Sequence, residues 1–228
     1  MGRSELLALL HLCDSLFPLG GFAYSDGLEA ATASGAIADA AALAGWMDVC
    51  LDGPIARSEG PTVLLSWSAF HEKDWNTIAE LDAEVTALRP SAAARRASRA
   101  MGLRLGGTWQ GLYPDPGLAV LMARARDGTI GPALPVAFGA VCASSAIDRR
   151  TSVEAFAYTR LAATVSAAMR LMPLGQTEAH RLLAATLARV PEAADAMVAR
   201  SARAESFAPA MDVAAMSQQY LHSRLFRS

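Results

Sequence analysis

The stretch VEAFAYTRLAATVSAAMRLMPLG, residues 153–175, decides the fold. Val153, Phe156, Ala157, Leu161, Val165, Ala168 and Met172 recur at intervals of three and four, the spacing that puts apolar side chains on one face of a helix. Pro173 and Gly175 then stop it. The same signature spreads outward in both directions. Ala179, Leu183, Leu187 and Val190 follow, with Pro191 as a stop, and Val213, Met216 and Tyr220 mark a last helix after Pro209. Upstream, Leu6, Leu9, Leu10 and Cys13 form one stripe. Val63, Trp67 and Phe70 form another after Gly60-Pro61, where proline suits a first helical turn, and Ile78, Leu81, Val85 and Leu88 form a third that ends at Arg89-Pro90. Alternating β-branched runs and hairpin turn signals are nearly absent. The expectation is an all-α fold: one helical domain over residues 1–228, with about eight to ten helices joined by short Pro/Gly turns.

Composition narrows the function classes. The chain has 228 residues, 53% hydrophobic but only 7% aromatic, so alanine supplies much of the apolar count. Charged residues are 18% and the formal charge is -2. These values exclude a disordered charged tail and argue against a protein that coats nucleic-acid phosphates. Lys73 is the only lysine beside nineteen arginines. Arginine is the better donor for planar and interfacial contacts, although coding bias produces the same excess.

Cys13, Cys50 and Cys142 lie far apart, with no CxxC, which points to free thiols in a reducing compartment. The first residues lack the pattern of a signal peptide. Residues 128–147 carry no charge, but Pro132, Pro135, glycines and Ser/Thr make a membrane span unfavourable. A helix of small residues at the centre of a bundle, closely approached by its neighbours, fits better. The chain is expected to be cytoplasmic and to bind neither membrane nor nucleic acid.

Enzymatic signatures are missing. No glycine-rich loop precedes the single lysine, and there is no GxSxG elbow and no HExxH pair. His11, His71, His180 and His222 sit in four separate segments, so no two-histidine metal site is visible. Asp26 and Glu29 could share a helical turn as an acid–base pair or as metal ligands. Alternatively, Asp26 caps a helix and Glu29 favours its positive end. Asp48 and Asp52, at i and i+4, need a solvated face or an arginine partner.

Three stretches mix turn residues with adhesive ones. Residues 16–29, LFPLGGFAYSDGLE, place Phe22 and Tyr24 two apart beside Gly20 and Gly21. Residues 170–177, RLMPLGQT, form a helix corner with Arg170 before it and Gln176 after it. The end, SRLFRS, sets Leu225 and Phe226 between Arg224 and Arg227, which suggests docking against a partner or against the chain's own body. Together with P-x-x-D at Pro209–Asp212 and a weaker match through Arg95, Ser98, Met101 and Gly102, the sequence resembles the urease accessory protein UreF family. The motifs occur in family order along the whole chain. Departures are Gln218 and Gln219 where the family often has His-Glu, Ala93 for a glutamate, and His180 for a glutamine. A neutral glutamine pair can still hydrogen-bond.

The resemblance implies an all-α, non-enzymatic protein without a cofactor, commonly a homodimer. It implies a scaffold and GTPase regulator that works with UreD/UreH and the GTPase UreG to insert nickel into the urease apoprotein. Phe22, Tyr24, Arg170, Gln176, Arg224, Leu225, Phe226 and Arg227 are the expected partner-binding residues. Two alternatives remain: a metallochaperone that itself binds nickel, and an all-α enzyme using Asp26 and Glu29.

Overall fold

The structure, a computed structural model, describes residues 3–227. In chain order the helices are α1 (Arg3–Leu12), α2 (Leu28–Ala33), α3 (Ala40–Cys50), α4 (Gly60–Glu72), α5 (Trp75–Ala87) and α6 (Ala92–Leu112). They continue with α7 (Pro116–Arg126), α8 (Leu134–Ser144), α9 (Arg149–Leu171), α10 (Gln176–Leu187), α11 (Val190–Arg200) and α12 (Pro209–Ser217). Among the described residues there is no strand, so the all-α expectation holds. Starts follow local chemistry. Asp39, Ser91, Asp115 and Asp148 each accept a backbone N–H from the first turn of the helix they precede.

Gly60-Pro61 opens α4 with Pro61 in its first turn, as expected, but it is not a fresh start. The chain stays helical from α3 to α4 through a π-helical segment, Leu51–Glu59, with Pro54 inside it. Proline has no N–H to give and its ring crowds the carbonyl of the preceding turn, and a widened turn relieves that crowding. Pro191 lies beyond the end of α10 at Leu187 and sits in the first turn of α11.

Helix α9 is the axis. Phe156 packs in one core cluster with α4, α6 and α8, while Leu161, Val165 and Ala168 pack in a second with α3 and α10. Helix α8 is buried continuously from Leu134 to Cys142, as a small-residue central helix should be. Its closeness to α4 is set at Gly139, where a Cβ would stand 2.5 Å from the Val63 carbonyl and 3.0 Å from Trp67 N. Gly102 of α6 likewise leaves room for the Pro132–Ala133 backbone. The approach to α8 is fixed by Asp82, whose carboxylate accepts the N–H groups of Gly131 (2.9 Å) and Ala133 (2.7 Å), and by Ser98, which accepts from Leu134 N (3.1 Å). No helix is long and apolar enough to cross a membrane among the described residues.

The outer helices depart from the simple stripe reading. Val213, Met216 and Tyr220 turn outward, and Tyr220 is 81% exposed; Met211 supplies the buried contact of α12 instead. Leu6 and Leu10 of α1 are also exposed.

Gly139→Ala should cost about 1–3 kcal/mol through overpacking and lower the thermal midpoint by several degrees. An unchanged melting curve would mean that α4 and α8 are not in the contact described.

Candidate partner-binding site

The loop joining α1 to α2, the C-terminal end of α9 and the chain's last residues converge. Asp14 accepts the Leu16 N–H at 2.8 Å, and a single 3-10 turn spans Gly21–Ala23. Gly27 then takes φ +89°, a conformation costly for any residue with a Cβ, and such a Cβ would lie 2.7 Å from Ala215 N. This glycine lets α2 lie against α12 and turns Glu29 toward the tail.

Glu29 is 6% exposed. Leu225 N–H donates to its Oε1 at 2.5 Å, Phe226 N–H donates to Oε2 at 3.2 Å, and the Gln218 amide donates to Oε2 as well. A buried carboxylate is expensive unless charge-assisted hydrogen bonds replace its water, and three donors do so here. One residue further, Arg227 N–H donates to the Ala23 carbonyl at 2.7 Å. The Arg170 guanidinium stands 4.3 Å from the centre of the Phe226 ring and donates to the Phe22 carbonyl at 2.7 Å. Arg104 donates to the Leu19 carbonyl at 3.2 Å.

A second layer lies beneath. Arg160 of α9 pairs with Asp26 and, at 3.1 Å, with Glu59, which also pairs with Arg89. Glu59 ends the π-helical segment and is 2% exposed. Burial works against the Asp26 charge, but Arg160 and Arg89 override it and hold the carboxyl below its ordinary value. These ion pairs tie the loop, the π-helical segment, α9 and the turn before α6 together.

Beside the tail opens an apolar groove of about 740 Å³ between α1, the loop and α9, with Leu9, Phe17, Phe22, Tyr24, Tyr158 and Phe226 on its walls. Among the described residues no group of three or more His, Cys, Asp or Glu could hold a metal ion. Burial pushes the thiols of Cys13 and Cys50 up to about 12, and that of Cys142 upward too, so they stay protonated and are weak ligands and nucleophiles.

Of the expected residues, Phe22, Tyr24, Arg170, Phe226 and Arg227 come together. Phe22 and Leu225 are 56% and 54% exposed, Arg224 is exposed, and Phe226 is seated at 3%. Gln176 lies exposed at the start of α10, and among the described residues no hydrogen bond joins it to the cluster. Ser228, the last residue of the terminal motif, is outside the described residues.

The helix-end reading of Asp26 is corrected, while Glu29 does lie in the first turn of α2. The α2 N-cap is Gly27 with no side-chain cap, because Asp26 is drawn to Arg160 and Glu29 to the tail. Those engagements also leave neither carboxylate free as an acid–base pair. Asp48 and Asp52 do find an arginine: Arg189 bridges both at 2.6 and 2.7 Å. Gln218 takes up hydrogen bonding where the family often has histidine, whereas Gln219 is exposed. Arg160, Glu59 and Arg89 were not singled out from sequence. The available signal was Arg160, a cation at the middle of the long helical stripe.

Removing Arg160 should leave Asp26 and Glu59 with only Arg89 to neutralise them both. Arg160→Met is expected to cost about 3–5 kcal/mol in denaturant unfolding, and a loss below about 1 kcal/mol, the value of a surface pair, would contradict the buried network. Because the folded Asp26 carboxyl is held low, its stabilisation is present above the ordinary carboxylate value and fades as pH falls through the folded one. The stability gap between wild type and Asp26→Asn should therefore shrink on acidification below about pH 4. A gap that widens would reverse the sign of the coupling.

The UreF family model matches residues 37–187. The urease accessory protein UreF of Methylibium petroleiphilum is 34% identical, covering 100% of this chain and 95% of that protein. UreF of Ralstonia pickettii is 32% identical over 99% and 98%. The bifunctional urease accessory protein UreEF of Bordetella bronchiseptica is 33% identical over 100% of this chain and 53% of its own length. With its helical architecture and ordered motifs, the chain belongs to the UreF family of urease accessory proteins.

Proposed function

We propose that this protein is a non-enzymatic cytoplasmic scaffold that joins UreD/UreH and the GTPase UreG during nickel insertion into the urease apoprotein. The observation that carries the reading is the convergence of the family motifs: the 16–29 loop, Arg170 and the chain end build one surface from three distant parts of the sequence. Exposed Phe22 and Leu225 beside Arg224 match the aromatic, arginine-rich character of binding hot spots. A relative that combines two accessory functions in one chain, named UreEF, supports action alongside other accessory proteins. Coupling to GTP hydrolysis rests on family resemblance. The outward apolar residues of α1 and α12 favour a homodimer.

Arg224→Ala should leave the helical fold intact and reduce recovery of UreG through the UreD/UreH complex by about tenfold, the effect of losing one hot-spot contact. Unchanged pull-down would reject this assignment of the chain end. Calorimetric titration of the isolated chain with nickel should show weak uptake or none. Tight, stoichiometric uptake would instead favour a metallochaperone. Sedimentation at micromolar concentration should give a dimer, and a monomer would count against the outward faces as a self-interface.

A further inference from the structure

We propose that the slot formed by Glu29, the Ala23 carbonyl and Arg170 is a peptide-binding site, selective for an extended segment with an aromatic anchor, and that residues 224–227 are its ligand in cis. The slot reads main chain: two consecutive amides, of Leu225 and Phe226, go to one carboxylate, and the next, of Arg227, goes to the Ala23 carbonyl. Such contacts hold any extended segment of suitable register, and a side-chain pocket then supplies selectivity. That pocket takes Phe226, the one buried side chain of the segment, under the Arg170 guanidinium, which favours an aromatic ring over an aliphatic side chain.

The tail is also attached lightly. Beyond the short 3-10 turn Gln218–Tyr220 it has no helix, and His222, Ser223, Arg224, Leu225 and Arg227 are exposed. Phe226 alone of residues 221–227 belongs to a core cluster, the second one, so the tail's departure removes one ring from that core. Phe226 forms part of the wall of the 740 Å³ groove, so departure of the tail would lengthen that groove and change what fits it. The site thus has the form of an exchangeable seat, occupied by the chain's own end. The inference stands on this geometry alone and does not depend on the urease partners.

A fluorescent peptide with the sequence of residues 222–227, HSRLFR, tests it on the full-length protein. In wild type the tethered tail competes at high effective concentration. Phe226→Ala weakens that competitor and should bind the peptide about tenfold tighter or more than wild type does. Adding Glu29→Ala, or replacing the peptide's phenylalanine with alanine, should remove the binding. A folded Phe226→Ala protein that binds no tighter than wild type overturns the proposal, as does binding indifferent to Glu29→Ala. Should Phe226→Ala fail to fold, amide exchange on wild type decides. The amides of Leu225, Phe226 and Arg227 should exchange through local opening, faster than those of α8. Exchange of all of them only at the global unfolding rate overturns it.

Discussion

One buried carboxylate organises the proposed partner-binding face of this molecule. Glu29 lies in a helix of six residues whose neighbours are apolar, and its charge is stabilised by hydrogen bonds that arrive from the far end of the chain. Without those donors the carboxylate would be stranded in a nearly dry site, a costly state. The tail likewise has little else to hold it, since one ring and three amides make its contacts. The loop and the tail are therefore ordered by each other, and a surface encoded at opposite ends of the sequence behaves as one unit.

That arrangement needs a rigid floor. Arg160 provides it from the middle of α9 by gathering Asp26 and Glu59, one from the loop and one from the end of the π-helical segment. The widened helix accommodates Pro54 and brings Glu59 to the arginines, so a local irregularity serves the site directly. Close packing of α8 against α4 and α6, permitted by Gly139 and Gly102, braces α9 from behind. The chain of dependence runs from small residues in the core, through the ion pairs, to the loop that carries Phe22 and Tyr24.

Much of the fold is legible in the sequence because burial imposes a period. The stripe through Val153, Leu161 and Val165 identifies α9, and alanine, glycine and proline content identifies α8 as a central helix. Prolines carry more than one role: Pro61 opens α4 although the chain before it is already helical, and Pro191 lies past the end of α10 in the first turn of α11. The stripe of α12 faces outward because α2 and the tail use its other side. At the site, aromatic and arginine residues stood out by type. Glu29 is legible as a helix-start acid, but such an acid looks the same in sequence whether it faces solvent or a tail almost two hundred residues away. No periodicity encodes that pairing.

In the proposed scaffold role, Glu29 is the residue that assembles the presented surface. Glu29→Gln keeps the size of the side chain but turns an amide donor toward backbone donors. The most direct measurement is co-purification of this variant with UreD/UreH and UreG, with helix content checked in parallel. Loss of UreG from the assembly while the bundle stays folded is the result expected. Full recovery of UreG with a folded variant would show that the joined loop and tail are not the surface on which assembly depends.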